Sequence, residues 1–285
     1  MLRSTPAPPL TATSAASRRR TADSRGSART SLTSSSPRSP EPSRAERGAE
    51  TQRNTRVYGR RIGRPLRKQR QELLDQLLPH LRLTVVDGEP LDPRALFPGL
   101  QDVWIETGFG FGEHLAWQAA AHPDVGFVGC ELFINGVASL VRHVQEQNLA
   151  NVRIADTDAF RVFSVLPTAS IGRAFLLFPD PWPKARHHRR RFVRSDVLDL
   201  YARVLRDGAE LRFATDHTAY CTWALSHVVR HGAFEWTAET AAEWRRRPAD
   251  WPPTRYEQRA LEAGRKPAFL TFRRRPRAEN SGAAG

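Results

Sequence analysis

Val103-Trp-Ile-Glu-Thr-Gly-Phe-Gly-Phe-Gly112 is the stretch that decides the fold class of this chain. Three apolar residues run into a carboxylate, three glycines follow at alternate positions, and residues 114–121 then read as a helix. A strand that ends in glycines and opens a helix is the setting in which backbone approaches a nucleotide closely. The spacing is G-x-G-x-G, not the G-x-G-x-x-G of dinucleotide sites, and no Lys-Ser/Thr follows as in a phosphate loop.

The same alternation continues on both sides. Upstream, Leu73, Leu74, Leu77, Leu78 and Leu81 recur at helical spacing. Downstream, Gly126-Phe-Val-Gly-Cys130 reads as a second strand closed by Glu131, with a helix over Ile134–Gln147. Val152-Arg-Ile154 is a third strand, followed by a helix over residues 158–166. Ala174-Phe-Leu-Leu-Phe178 is a fourth, and a fifth at residues 210–214 lies between helices at 196–205 and 219–231. Strands alternating with helices of this length predict an α/β fold with a parallel sheet covered on both faces. In such sheets ligands bind beyond the carboxyl ends of the strands. Glu106, Glu131, Asp158, Asp180 and Asp216 all fall at or just past those ends.

The acids choose the nucleotide. A carboxylate at Glu106 ahead of the glycines repels a pyrophosphate but attracts the cationic amino-acid end or sulfonium of S-adenosylmethionine. Glu131 is placed to accept both ribose hydroxyls, and Asp158 to accept from the adenine amino group. The expected cofactor is therefore S-adenosylmethionine, with NAD as the rival.

A second stretch, Pro179-Asp-Pro-Trp-Pro-Lys-Ala-Arg-His-His-Arg-Arg-Arg191, sets Asp180 beside a Trp held between prolines and runs into a cationic series. Proline fixes its own φ and disfavours helix in the residue before it, which predicts a stiff, extended, exposed loop. The indole of Trp182 suits stacking on a base, and the Asp180 carboxylate can accept hydrogen bonds from a base edge. Arg186, His187, His188, Arg189, Arg190 and Arg191 suit an RNA backbone. No third ligand stands at metal spacing from the two histidines, so no metal is expected.

Composition bounds the rest. Residues 1–56 contain no Ile, Val, Phe, Trp or Tyr but eleven Arg and eleven Ser, and carry half of the chain's +14. Such a segment cannot bury enough apolar surface to order itself, so it is read as a disordered basic tail. Residues 57–275 then form the folded domain and 276–285 a flexible C-terminal tail. Excess Arg on tail and body points to a polyanion, most simply nucleic acid. Cys130 and Cys221, the only cysteines, form no metal-type pair and suit a reducing compartment, hence the cytoplasm. No apolar run is long enough for a membrane helix. Monomer and homodimer both stay open.

These residues carry a resemblance. Over roughly residues 57–274 the chain resembles the bacterial tRNA (guanine-N7-)-methyltransferases of the TrmB type. The motifs that carry it are Glu106-Thr-Gly-Phe-Gly-Phe-Gly112, Pro179 to His188, Ala214-Thr-Asp216 and Thr254-Arg-Tyr-Glu257. The resemblance implies a Rossmann-like, doubly wound, mostly parallel seven-stranded sheet, and methylation of N7 of the guanosine at position 46 in the tRNA variable loop. It further implies that Glu106, Gly108, Gly110, Glu131, Asp158 and Asp180 serve the methyl donor. Lys184, Asp216, Thr254, Arg255, Tyr256 and Glu257 then serve the substrate. Thr107, where an aliphatic residue is usual, and Ala185, where a second Lys is common, depart from the pattern. From composition alone, Thr254–Glu257 is a loop with an exposed charge pair.

N7 of guanine carries an in-plane lone pair and no proton, so its alkylation needs no general base. Positioning of the methyl group and stabilisation of a guanine that becomes cationic are the demands. Asp180 is the first candidate to hold the N1–H/N2–H₂ edge and so the candidate catalytic residue, with Asp216 second. The competing readings are a nicotinamide oxidoreductase, a methyltransferase for another nucleobase nitrogen, and a noncatalytic RNA-binding protein.

Overall fold

The computed structural model describes residue 59 and residues 61–278. Helix α1 (Lys68–Leu81) leads into β1 (Asp102–Thr107), α2 (Glu113–Ala121), β2 (Val125–Cys130), α3 (Ile134–Gln147), β3 (Val152–Ala155) and α4 (Ala159–Val165). There follow β4 (Ile171–Leu177), α5 (Ser195–Val204), β5 (Leu205–Thr215), α6 (Thr218–Arg230), β6 (Phe234–Trp236), α7 (Ala241–Arg245), α8 (Arg255–Glu262) and β7 (Ala268–Arg274). The seven strands form one sheet in the order β3-β2-β1-β4-β5-β7-β6. β1 pairs in parallel with β2 and β4, β2 with β3, and β4 with β5. β7 pairs antiparallel with both β5 and β6. The fold is thus a doubly wound, mostly parallel α/β sheet.

Period-two alternation explains why both faces are covered. In β1, Val103 and Ile105 join a core built with Phe163 of α4, Val197 and Tyr201 of α5, and Tyr220 of α6. Trp104, between them, joins the opposite core with Leu74 and Leu78 of α1, Leu115 of α2 and Val137 and Val141 of α3. The strand order reverses beside β1, because the chain returns from β3 to place β4 on β1's other edge. A crevice opens there at the carboxyl ends.

Two boundaries differ from expectation. Thr254–Glu257 is not an exposed loop: Thr254 caps α8 by accepting from the Glu257 N–H at 3.2 Å, and both residues are buried. The Thr-x-x-Glu spacing is that of a capping box, a signal composition does not weigh. The folded domain also extends past residue 275. The Arg277 guanidinium donates to the carbonyls of Ala202, Arg203 and Leu205 at the end of α5, and its N–H to Asp207. These carbonyls lie where α5 passes into β5, at a helix C-terminus that favours a cation. The expected basic tail, residues 1–56, lies outside the described residues.

Candidate active site

Glycine geometry builds the floor of the crevice. After β1 the chain turns through Gly108 (φ 68°) and Gly110 (φ 59°), backbone that L side chains rarely adopt. Gly110 is also pressed from two sides: a Cβ on it would meet the Tyr256 hydroxyl at 2.9 Å, and one on Gly136 of α3 would meet the Gly110 carbonyl at 2.0 Å. The loop is therefore held between α3 and α8. Glu131, just past β2, completes the hold, accepting from the N–H of Gly110 at 2.9 Å, of Leu132 at 2.8 Å and of Phe133 at 3.0 Å. Burial pushes its carboxyl above the ordinary range, against the pull of those N–H groups.

Above this floor lies a cavity of about 550 Å³, within the usual range of small-molecule sites. Gly108, Gly110 and Glu131 line it together with Asp180, Trp182, Arg190 and Arg194. Phe178 and Tyr256 lie in its wall, their rings stacked at 6.4 Å and 16°. Asp180 is open to solvent in the cleft, yet protein on several sides lifts its carboxyl above the ordinary range.

The loop around Asp180 is not extended throughout. Phe178 (φ 49°) and Trp182 (φ 43°) both take left-handed backbone, the second directly before a proline that favours extended conformations. Residues so placed persist only where their surroundings over-determine them, and they gather at functional sites. Arg190 supplies one such constraint, with its guanidinium 4.9 Å from the centre of the Trp182 ring; the His187 ring meets Trp182 edge-on at 5.8 Å. Residues Ala185–Arg190 then wind into a 3-10 turn.

The other candidates divide. Glu106 does not line the cavity: at 4% exposure its carboxylate faces His114 Nδ1 at 2.8 Å inside the core. The Asp158 carboxylate accepts from the Phe160 N–H at 3.0 Å and caps α4, while its neighbours Thr157 and Ala159 line the cavity. Asp216 pairs with Arg265 at 2.6 Å. Of Thr254, Arg255, Tyr256 and Glu257 only Tyr256 lines the cavity. Arg255 pairs with Glu113 and covers the Phe111 ring at 3.9 Å, and Glu257 accepts from Arg247 at 3.2 Å.

Lys184, Arg186 and Arg189 are exposed on the basic stretch. His188 meets the Trp223 ring at 5.3 Å. Burial and the surrounding cations hold the His187 imidazole below its usual range, so it offers a neutral ring. Arg191 is corrected: it is 1% exposed and cannot reach an RNA backbone. The arginine run alternates in a tight turn, and its last member points inward between aromatic rings. Sequence reasoning also missed Phe111, Phe160, Phe192, Arg194 and Arg259, all in the cavity lining. Phe111 lies inside the glycine motif and the others stand close to motif residues, but nothing in those motifs singled them out.

Among the described residues no helix is long and apolar enough to cross a membrane, and no group of three or more His, Cys, Asp or Glu is arranged to hold a metal ion. Both cysteines are free thiols.

Residues 101–270 match a protein-family model described as "Putative methyltransferase". The tRNA (guanine-N(7)-)-methyltransferase of Rhodospirillum rubrum is 53% identical over 233 residues, covering 80% of this chain and 91% of its own length. The protein of the same name from Paramagnetospirillum magneticum is 49% identical over 238 residues, covering 82% and 98%. That from Agrobacterium fabrum is 46% identical over 219 residues, covering 76% and 94%.

Proposed function

The chain belongs to the tRNA (guanine-N(7)-)-methyltransferase family, and from that premise we propose that it methylates N7 of the guanosine at position 46 in tRNA, with S-adenosylmethionine as donor. The observation that carries the reading is one cavity joining the glycine loop and Glu131 to Asp180 and Trp182. A donor and a base brought to its two ends meet inside it.

The residues present fit the donor. Gly108 and Gly110 give backbone that a ligand can approach, and Glu131 faces the cavity as an acceptor for ribose hydroxyls. Asp158, at the end of β3, is the acceptor assigned to the adenine amino group. Glu106, buried behind the loop, acts on the donor's cationic end through its field rather than by lining the cavity. When bound, S-adenosylmethionine supplies an electrophilic methyl on a sulfonium.

The chain's own work is orientation. Asp180 accepts from the N1–H/N2–H₂ edge of guanine and turns its N7 lone pair toward the donor end. Trp182, with Phe178 and Tyr256, offers apolar faces that fix the base plane. Held by Gly108, Gly110 and Glu131, S-adenosylmethionine would supply the methyl group to N7, and the purine would take up the positive charge. Asp180 favours that charge electrostatically. No proton leaves N7, so no group titrating near neutrality is required. Asp216, held by Arg265 outside the cavity lining, is the second candidate for the base edge, and Lys184, Thr254, Arg255 and Glu257 are assigned to the substrate. Lys184, Arg186, Arg189 and Arg190 address the RNA backbone. A tRNA substrate places the protein in the cytoplasm.

Incubation with labelled S-adenosylmethionine and unmodified tRNA, followed by aniline cleavage at 7-methylguanosine, tests the reading. A single scission at position 46 is expected. Label incorporated without scission assigns another nucleobase atom, and no label assigns a noncatalytic RNA binder.

A further inference from the structure

Arg191 sits where an apolar residue would be cheaper. Its Nε donates to the carbonyl of Pro181 at 2.9 Å, and its guanidinium carbon lies 5.2 Å from the centre of the Tyr220 ring and 5.0 Å from that of Trp223. Its Nη2 is buried with no hydrogen-bond partner among the described residues. A buried cation of this kind costs stability against a well-packed apolar side chain of similar volume. Rigidity of the core alone does not account for it.

The partner it has chosen does. Helix α6 grips the chain just after Arg191: the Tyr220 hydroxyl accepts from the N–H of Phe192 at 3.1 Å and of Val193 at 3.2 Å, and Trp223 Nε1 donates to the Val193 carbonyl at 2.6 Å. Arg191 carries that grip back across ten residues to Pro181. Pro181 lies between Asp180 and Trp182, both in the cavity lining, and Trp182 holds its left-handed backbone there.

We propose that Arg191 is a positioning residue for methyl transfer. It ties the Asp180–Trp182 turn to α6 and so sets where the carboxylate and the indole stand against the base. This rests on the reading that the turn addresses the reacting guanine.

Arg191→Met keeps most of the stem without the Nε–H, and Arg191→Lys keeps the charge without the planar fork. Turnover and KM for tRNA are measured at several salt concentrations, with donor affinity and stoichiometry from calorimetry reporting the folded fraction. Turnover per folded protein is expected to fall about 100-fold in both variants, the scale of an ångström's misplacement. KM for tRNA, its salt dependence and donor affinity stay at wild-type values. A raised KM with a flatter salt dependence, restored by Lys, makes Arg191 a phosphate contact and overturns the proposal. Wild-type turnover in Arg191→Met also overturns it. Where that variant does not fold, Tyr220→Phe removes only the hydroxyl that holds Phe192 and Val193. The same loss confined to turnover is expected, and its absence sinks the proposal. Asp180→Asn, run alongside, separates the two ideas. Normal turnover there with loss in Arg191→Met keeps the positioning role and removes the base-holding role of Asp180.

Discussion

Asp180 and Glu131 share one cavity but are asked for different things, and single substitutions separate them. Asp180→Asn keeps shape and removes charge, so single-turnover methyl transfer should collapse while tRNA affinity in filter binding barely changes. Near-normal transfer would mean that Asp180 does not stabilise the charged guanine. Glu131→Ala should weaken S-adenosylmethionine binding by about 1–3 kcal/mol, the scale for hydrogen bonds to a charged group, as read by calorimetry. Glu131 also predicts a pH dependence. Burial raises its carboxyl in the folded protein, so the ionised form that accepts from ribose is lost at a higher pH than for an ordinary Glu. Donor affinity should therefore decline, as the solution is acidified, at a higher pH than an ordinary Glu would give, and Glu131→Ala should flatten that decline. The stability sign is the reverse: a raised folded pKa means that this group favours folding below that pKa and opposes it above. Donor affinity lost and fold stability gained over one acid window is the signature to seek.

At the scale of elements, α3 determines the shape of the glycine loop as much as the loop does. A Cβ on Gly136 would come within 2.0 Å of the Gly110 carbonyl, a backbone atom that cannot swing aside. Gly136→Ala should cost about 1–3 kcal/mol of stability by overpacking, and because the loop is what yields, donor affinity should drop with it. A variant that melts early but binds the donor normally would place the strain elsewhere. Much of this was legible in the chain. Five strands ending in five acids gave the parallel half of the sheet and the line of the crevice, because apolar runs and acids at their ends are local signals. The antiparallel half was not read from the residues: β6 is three residues long and β7 pairs with strands distant in sequence. Arg259 was invisible for the same reason, since it reaches the cavity only through the packing of α8, while Phe111 stood in the glycine motif without any sign that its ring lines the site. Arg191 misled because a charge in a charge run reads as surface, while its inward direction depends on a turn and two rings some thirty residues away.

Across the whole molecule, charge is the quantity that decides RNA affinity. Lys184, Arg186 and Arg189 are exposed along one turn, and Ala at all three should flatten the dependence of log affinity on log salt by roughly two to three units. Removal of residues 1–50 is expected to matter less than loss of that turn. If the truncation abolishes binding while the triple variant binds normally, the RNA surface lies elsewhere. The sheet order has a further consequence, for how the protein is born. β7 is the last described strand to be synthesised, yet it belongs between β5 and β6. Until it emerges from the ribosome, β5 presents a bare edge and β6 has no neighbour. Bare edges are templates for pairing with other chains. The helix that carries Tyr256 precedes β7 by only a few residues, so the wall of the cavity and the closing of the sheet arrive together. A nascent chain stalled short of Ala268 holds every residue that lines the cavity but keeps its sheet edge unprotected.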